Sequence, residues 1–593
     1  MRFSRRLIKY FPHSSLAPPL ALNNPRATVR RTMIRRIFSP RLLPPLLGGV
    51  LLSFAYPGWD IQAAVWIWLF PVLWVLWPVN DMAQAPAGRR AFAIGMAAGL
   101  GFWIPNLTWL RHSSRVISGA LDDTWIGWGP ELLGAGAVFG LALVCSLYWG
   151  LWAWFSARFA RPDPAVLAGA SWQSSTWHSL SRAFLAAAAW TGCEWLRGTT
   201  LFNGFGWNGL GVALHENRVL IQAADIIGVT GLSYLPVFIA CTAWNTLTRV
   251  VRVYQGAGSC RSRLDFTLAM LLLLGAAGYG IQRLGQPKGE TVTVRAVLVQ
   301  PNVAQVDAWT GRVDEQTYSR LHDFTRLYGE ARDGVTHTDL VIWPESALPR
   351  HFSEDAEGHA AFFDSLLKAG DFSLLTGTEM HDEQSSHVSA LLMRGSAANR
   401  QQYDKVHLVP FGEYLPFRTI PPFSWLRGVL PGDFDPGVKT EPLRLEKPAV
   451  EIIPLICFED TVGRLARRFA RPGPQMIVNL TNDGWFLQSR ETAVHLANAK
   501  FRAIELRRPM VRAANTGVTC FIDTLGRVTS RLTDPETGGT FLEGCLPGEA
   551  HVPAQGEMTF YARHGDAFSI LMLLACAAAA GIERWRSPRG VKK

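Results

Sequence analysis

The sequence predicts a multi-pass α-helical membrane domain of about eight spans joined to an α/β domain outside the bilayer. Three observations predict it. The 593-residue chain is 48% hydrophobic and only 18% charged, with 23 Trp, which is too apolar for an ordinary soluble enzyme. Apolar stretches of bilayer-crossing length crowd its first half, and one more lies near its end. Between them runs a polar region in which strand-like alternation and helix-like periods take turns.

Residues 1–37 are rich in Arg, Ser and Pro and contain no acidic residue. They read as a basic, disordered cytoplasmic lead, with Met33 as an alternative start. No small-residue cleavage site follows the first apolar run, so a secretory signal is disfavoured. Eight apolar stretches follow, near 40–57, 62–79, 91–110, 131–156, 183–198, 219–244, 266–282 and 566–583. A crossing needs roughly 20 residues. The first two are short and Pro-interrupted, and the fifth is short with polar residues near its end. The expected organisation is a membrane domain over 38–285, a catalytic domain over 286–560, an eighth span over 561–584 and a basic cytoplasmic tail over 585–593.

The formal charge of +11 raises nucleic acid or a membrane surface as partners. The basic residues flank apolar stretches and no nucleic-acid motif accompanies them, so no nucleic-acid partner is predicted. Clusters at Arg30–Arg36, Arg89–Arg90, Arg158–Arg182, Arg249–Arg263 and Arg584–Lys593 fall on one side if there are eight spans with both ends cytoplasmic. The domain at 286–560 then faces the other side, the periplasm or the cell exterior.

Eight Cys show no C-x-x-C pair and no Cys/His spacing of a zinc site, so no metal is expected. Cys145, Cys193, Cys241 and Cys576 lie in apolar runs and read as packing residues. Cys260 falls in a basic linker. Cys457, Cys520 and Cys545 remain for the polar region, an odd number that leaves at least one free thiol.

Three segments of that region carry chemistry. Asp339-Leu340-Val341-Ile342-Trp343-Pro344-Glu345-Ser346 is an apolar strand with Glu345 just beyond its end. Tyr403-Asp404-Lys405-Val406-His407-Leu408-Val409-Pro410-Phe411-Gly412-Glu413-Tyr414 is a Pro/Gly-marked loop. Val450–Ile456 is a strand ending at Cys457, with a helix-like run over 461–470. A thiol at a strand-to-helix turn stands out of the sheet beside helix amides, which lower its pKa and bind an oxyanion. Glu345 suits the general base, and Lys405 suits the cation for a tetrahedral oxyanion. Singly, each residue has a bland reading: a packed Cys, a solvated turn Glu, a solvated Lys.

Together W-P-E-S, Y-D-K-V-H-L-V-P-F-G-E-Y-L-P and I-C-F-E-D, in this order, resemble the Glu-Lys-Cys triad of the nitrilase superfamily. That resemblance implies an α-β-β-α sandwich, and Val478–Phe486 matches a further part of the pattern. A nitrilase-like domain between the seventh and eighth spans is the layout of the apolipoprotein N-acyltransferase family, and Glu194–Gly198, Phe205–Gly211 and Ile227–Tyr234 also look like that family. The resemblance spans roughly residues 40–580. It implies acyl transfer from a phospholipid through a Cys457 thioester to the α-amine of a diacylated apolipoprotein, with no cofactor, by a monomer in the bacterial inner membrane. It places Glu413 and Glu459 at supporting acidic positions, orienting Lys405, sharing base duty or pairing structurally. It places Trp309 at a lipid-contacting aromatic. Two departures stand out: Val388 where the family usually has Asn, and Phe458 where Tyr also occurs.

Other readings of the same residues stay open. With water as acceptor the triad makes a membrane-tethered amidase or nitrile hydrolase; with an inert domain the chain is a transporter or lipid-binding scaffold. In the membrane half, Glu194 and Arg197 are spaced for a helix pair. Asp225 lies inside an apolar stretch, which marks either a structural pair or a functional site. The Trp/Asn/Gly-rich stretch 203–211 reads as an interfacial loop near the catalytic mouth.

Overall fold

Alternation along the strands sorts the polar region into layers. In β1 (Thr291–Gln300), Ala296 and Leu298 belong to one buried cluster and Val299 to another. In β2 (Leu340–Ile342), Leu340 and Ile342 join the first while Val341 joins the second, with Trp343 just beyond. Successive strand residues point to opposite faces, so one sheet has two buried sides. Its second face packs helices α11 (Asp314–Gly329) and α12 (Ala356–Leu367) through Leu321, Phe363 and Leu366. Its first face packs a second sheet through Ile452, Val478 and Val511.

The structure is a computed structural model that describes residues 41–79, 86–120, 129–287, 289–304, 314–329, 337–348, 356–382, 385–417, 420–421 and 433–586. The remaining strands are β3 (Ser373–His381), β4 (Ser386–Arg394), β5 (Ser396–Asp404), β6 (Leu443–Leu445), β7 (Val450–Ile456), β8 (Gln475–Thr481), β9 (Met510–Ala514), β10 (Cys520–Ile522), β11 (Val528–Arg531) and β12 (Gly544–Pro553). Each sheet has six strands, ordered β12-β1-β2-β3-β4-β5 and β11-β10-β9-β8-β7-β6. β1, β2 and β3 run parallel, as do β7, β8 and β9. Helices α13 (Gly463–Phe469) and α14 (Glu491–Leu506) cover the second sheet, completing the expected α-β-β-α order. The carboxyl ends of β2, β7 and β8 converge, and ligand crevices of parallel sheets open at such ends.

The membrane half consists of α1 (Leu43–Ser53), α2 (Ala64–Ile67), α3 (Leu69–Leu76), α4 (Arg89–Asn106), α5 (Leu110–Ala120), α6 (Gly129–Phe155), α7 (Trp172–Thr200), α8 (Ala224–Leu232), α9 (Tyr234–Tyr254) and α10 (Leu264–Gly285), with α15 (Ala567–Arg586) returning at the end. Close helix approach rests on small residues. A Cβ on Gly49 would lie 1.9 Å from the Ala98 carbonyl oxygen, so only glycine at this position lets α1 approach α4 so closely. Trp190 of α7 packs Trp68, Trp149 and Trp152 at centroid distances of 5.1, 4.8 and 5.2 Å.

Eight complete spans are not what these helices show. Among the described residues, three are long and apolar enough to cross a bilayer: Glu131–Ala160, Leu264–Gly285 and Ala567–Trp585. The count reaches five if two bent pairs each make one span: Arg89–Asn106 with Leu110–Val116, bent 43°, and Leu220–Leu232 with Tyr234–Tyr254, bent 67°. The first two expected spans shrink to an 11-residue helix and a broken one over Ala64–Leu76. At 1.5 Å per residue, 11 residues reach about 17 Å of a core about 30 Å thick. The fifth expected span lies inside the 29-residue α7, whose first half carries Gln173, Ser174, His178 and Arg182. The lead 1–37 and the end of the basic tail fall outside the described residues.

Buried charge ties the halves together. Asp225 of α8 accepts from Tyr279 and Arg283 of α10 and from Arg507 at the end of α14, the arginine contacts being 2.8 Å. The Asp225 carboxylate is therefore a structural partner rather than a free site.

Candidate active site

β2 ends at Ile342, and the chain turns at once through Trp343-Pro344-Glu345-Ser346, with Ser346 at a φ of +46°. Two hydrogen bonds strap this turn to β3: Gly377 N donates to the Pro344 carbonyl and Ala347 N donates to the Gly377 carbonyl. A Cβ at Gly377 would meet the Pro344 oxygen at 2.6 Å and Glu345 Cα at 2.7 Å. Glycine there sets the height at which Glu345 leaves the sheet.

β7 ends at Ile456 and passes into a five-residue 3-10 helix, Cys457–Thr461. Cys457 itself has a φ of +50°. A left-handed non-glycine residue costs about 1–3 kcal/mol and persists only where its surroundings dictate it. The surroundings are on hand. Glu459 folds back and accepts from Ile456 N at 2.9 Å, Val406 N at 2.8 Å, His407 N at 2.9 Å and the Tyr403 hydroxyl at 2.9 Å. Asn479 Nδ2 donates to the Cys457 carbonyl at 3.2 Å. Glu345, Lys405 and Thr481 all lie close enough to the Cys457 thiol to act on its ionisation.

Lys405, fully buried at the end of β5, lies between two carboxylates: Nζ is 3.1 Å from Glu345 Oε1 and 2.5 Å from Glu413 Oε1. The other Glu413 oxygen accepts from Val409 N at 2.8 Å, closing the 405–413 loop. Lys405 N donates to the Val388 carbonyl at 2.8 Å, so this position contributes its backbone while the Val388 side chain joins the core. The two supporting acids thus differ. Glu413 touches Lys405 directly; Glu459 holds the Tyr403 hydroxyl and backbone amides on both sides of the turn, with Lys405 acting on it through its charge.

Charge follows from this packing. Burial alone would lower Lys405, but Glu345 and Glu413 hold it well above the usual lysine range. Burial raises Glu345, with Lys405 opposing. Burial also pushes the Cys457 thiol well above the ordinary value, Glu345 adding to it and Lys405 opposing. The expected depression by helix amides is overridden. The 3-10 helix is one short turn and carries Glu459 and Asp460 in it, which offsets its positive end. The thiol rests protonated, with the Glu345 carboxylate beside it. Glu459 rises to about 7 by burial, and His407 falls to about 4 for the same reason.

The membrane half reaches this turn. Phe458, next to the nucleophile, stacks on Trp207 at 5.8 Å, on Phe205 at 6.3 Å and on His407 at 5.8 Å. Glu194 and Arg197 do not pair with each other as their spacing predicts; both hold the 203–211 loop. Glu194 Oε1 accepts from Leu210 N at 2.8 Å. Arg197 donates to the Phe205 and Trp207 carbonyls at 2.9 and 2.7 Å and lies over the Trp103 ring at 4.7 Å. Trp309 lies outside the described residues.

Residues that sequence reasoning did not single out are Gly377, Thr481 and Tyr403 as supports, and Trp207 as a packing partner of the turn. Tyr403 sits two residues before Lys405, inside a segment already read as a unit. Gly377 left no local signal.

Residues 48–242 match the family model of the apolipoprotein N-acyltransferase N-terminal domain, and residues 296–542 match that of carbon-nitrogen hydrolases. The chain is 31% identical over 549 residues to an apolipoprotein N-acyltransferase of Geobacter metallireducens, covering 91% of this chain and 94% of that one. It is 33% identical over 566 residues to one of Rhodopseudomonas palustris, covering 91% and 95%. An amidase structure from Nesterenkonia sp. overlaps 44% of this chain and 90% of its own length at 16% identity and a TM-score of 0.32.

Proposed function

The chain belongs to the apolipoprotein N-acyltransferase family, and from that premise we propose how its own residues carry out lipoprotein N-acylation. Cys457 attacks the ester carbonyl of a phospholipid acyl chain while Glu345 takes the thiol proton. The tetrahedral oxyanion forms beside the Lys405 ammonium, which Glu413 keeps in place and charged. Collapse breaks the ester C–O bond, and Glu345 returns the proton to the departing lysophospholipid hydroxyl. The thioester is then attacked by the α-amine of diacylglyceryl-cysteine, whose proton passes through Glu345 to the thiol. An amide is released and the thiol is restored, a two-step covalent exchange.

One observation carries this reading over hydrolysis of a soluble amide. The residue after the nucleophile stacks directly on aromatic rings of the membrane half, so the reactive sulfur is mounted against that half. A site fed by lipid requires such a mounting; one fed from water does not. The same reading places the enzyme in the inner membrane of a bacterium, with its Arg clusters cytoplasmic and the catalytic layers in the periplasm. It works as a monomer, and Trp309 contacts lipid.

The test is the mass of the intact protein after incubation with phospholipid vesicles. Addition of one fatty acyl group to Cys457, discharged by a diacylated lipopeptide, is the expected result. An adduct that water removes as fast without the lipopeptide would make the protein a hydrolase. Labelling of residues in 286–560 by an impermeant thiol reagent only after permeabilisation would reverse the topology.

A further inference from the structure

Four charged side chains lie directly behind the turn that carries Cys457, and the acyl-transfer steps above use none of them. Asp460 belongs to the 3-10 helix of the turn, Asp483 to the short helix after β8, His495 to α14 and Arg512 to β9. All are at most 1% exposed. His495 bridges the acids, Nε2 lying 2.9 Å from Asp460 Oδ1 and Nδ1 lying 2.9 Å from Asp483 Oδ1. Arg512 Nη2 lies 3.0 Å from Asp483 Oδ1, and its Nε lies 3.8 Å from Asp460 Oδ2. Two carboxylates face one guanidinium, so the cluster is neutral only when His495 carries a charge. Burying an unbalanced charge is costly. Both imidazole nitrogens meet a carboxylate oxygen, as a doubly protonated ring requires, while Nδ1 also lies 2.9 Å from Arg512 Nη2.

The bridge joins the two chain segments that position the sulfur. Asp460 is three residues beyond Cys457, in the same helical turn; Asp483 is two residues beyond Thr481, whose side chain lies beside the thiol. Trp207, stacked on Phe458, also packs on His495 at 5.4 Å.

We propose that His495 is a positioning residue: as the cation bridging Asp460 and Asp483, it fixes the left-handed turn at Cys457, and rapid acylation requires that cation. The proposal rests on Cys457 being the nucleophile. Geometry is its basis, and electrostatics agrees. Burial opposes the charged ring, but Asp460 above all raises His495 to about 9. Other ionisable groups face the cluster: Arg502, which donates to the Asp460 carbonyl at 3.5 Å and pairs with Glu505, Glu491, raised to about 8 by burial, and Cys520, raised to about 12 by burial. These shifts favour the neutral forms of Glu491 and Cys520 and the charged form of His495.

His495→Gln keeps a polar side chain and removes the charge. In the full-length protein with phospholipid vesicles, the rate of acyl addition to Cys457 should fall by about 10²-fold near pH 7, as misplacement of a reacting group does. The wild-type advantage should shrink towards unity near pH 10, where the native His495 is neutral too. Asp460→Asn, nearly isosteric, should reproduce the loss at pH 7 and decides the matter if His495→Gln does not fold. Adding Glu491→Gln to both proteins should leave the convergence in place. A ratio that stays constant from pH 7 to pH 10 would overturn the proposal, as would wild-type rates in either variant. So would convergence that disappears with Glu491→Gln. Acyl addition to Cys457→Ala would instead remove the nucleophile assignment, and the proposal with it.

Discussion

The ring of Phe458 lies nearly parallel to the indole of Trp207, with centroids 5.8 Å apart and planes 20° apart. One belongs to the nucleophile's turn and the other to a loop of the membrane half. The indole Nε1 donates to Glu491 Oε1 at 2.9 Å, which fixes the ring's orientation from below. Trp207→Ala should therefore affect both halves. Removing a buried aromatic costs about 3–5 kcal/mol, read as a lower unfolding temperature in detergent. Acyl-enzyme formation should slow as well, and Trp207→Phe should restore most of the rate.

Cys457→Ala should accumulate no acyl adduct. Cys457→Ser should be nearly inactive, because an alkoxide is far harder to form than a thiolate. Lys405→Ala should lose about 10²–10³ in the acylation rate, the scale of removing an oxyanion donor. Single-turnover mass measurements read all three.

Gly377→Ala tests the strap under the general base. The new methyl would meet the Pro344 oxygen at 2.6 Å and Glu345 Cα at 2.7 Å, both backbone atoms that cannot swing aside. Glu345 must shift. The expected outcome is a folded protein with reduced kcat and little change in KM for the phospholipid.

Asp265→Ala leaves Arg249 without its carboxylate. The pair is buried, with Nη2 2.9 Å from Oδ2. Breaking a buried ion pair from one side costs about 3–5 kcal/mol. Thermal unfolding should show this with no change in acylation rate per folded molecule, since the pair joins α9 to α10 away from Cys457.

Glu491 makes stability depend on pH. Burial lifts its carboxyl from the usual 4.5 to about 8, so the folded chain binds that proton more tightly than the unfolded chain does. The contribution is full below about pH 4.5 and is lost as pH rises through about 8. Unfolding temperature should drop over that window, and less steeply in Glu491→Gln.

The sandwich was legible through the motif resemblance rather than through alternation, because β1, β2 and β4 are buried on both faces by different partners and read as apolar runs. The site was legible because Glu345, Lys405 and Cys457 each follow a strand end within a short segment marked by Pro or Gly. What escaped was three-dimensional company. Nothing local to Gly377 says that Glu345 stands on it. The spacing of Glu194 and Arg197 promised a pair, yet each met a more demanding partner in the unsatisfied backbone of the 203–211 loop. The expected eight spans are matched only in part for a related reason. Hydropathy measures chemistry along the chain, whereas α1 and α7 are shaped by turns and by polar faces buried against neighbours, such as Asn245 of α9 donating to Ser179 of α7.

Asp225 has a mechanical consequence. One carboxylate grips an arginine that ends a bilayer helix and another that ends the helix beneath the second sheet. It acts as a rivet through two plates. Cut the plates apart, and Arg507 keeps the Thr524 carbonyl but loses its carboxylate, while Phe458 keeps His407 but loses Phe205 and Trp207. A severed catalytic fragment would then be a loosened piece of the machine, with its cutting edge no longer seated.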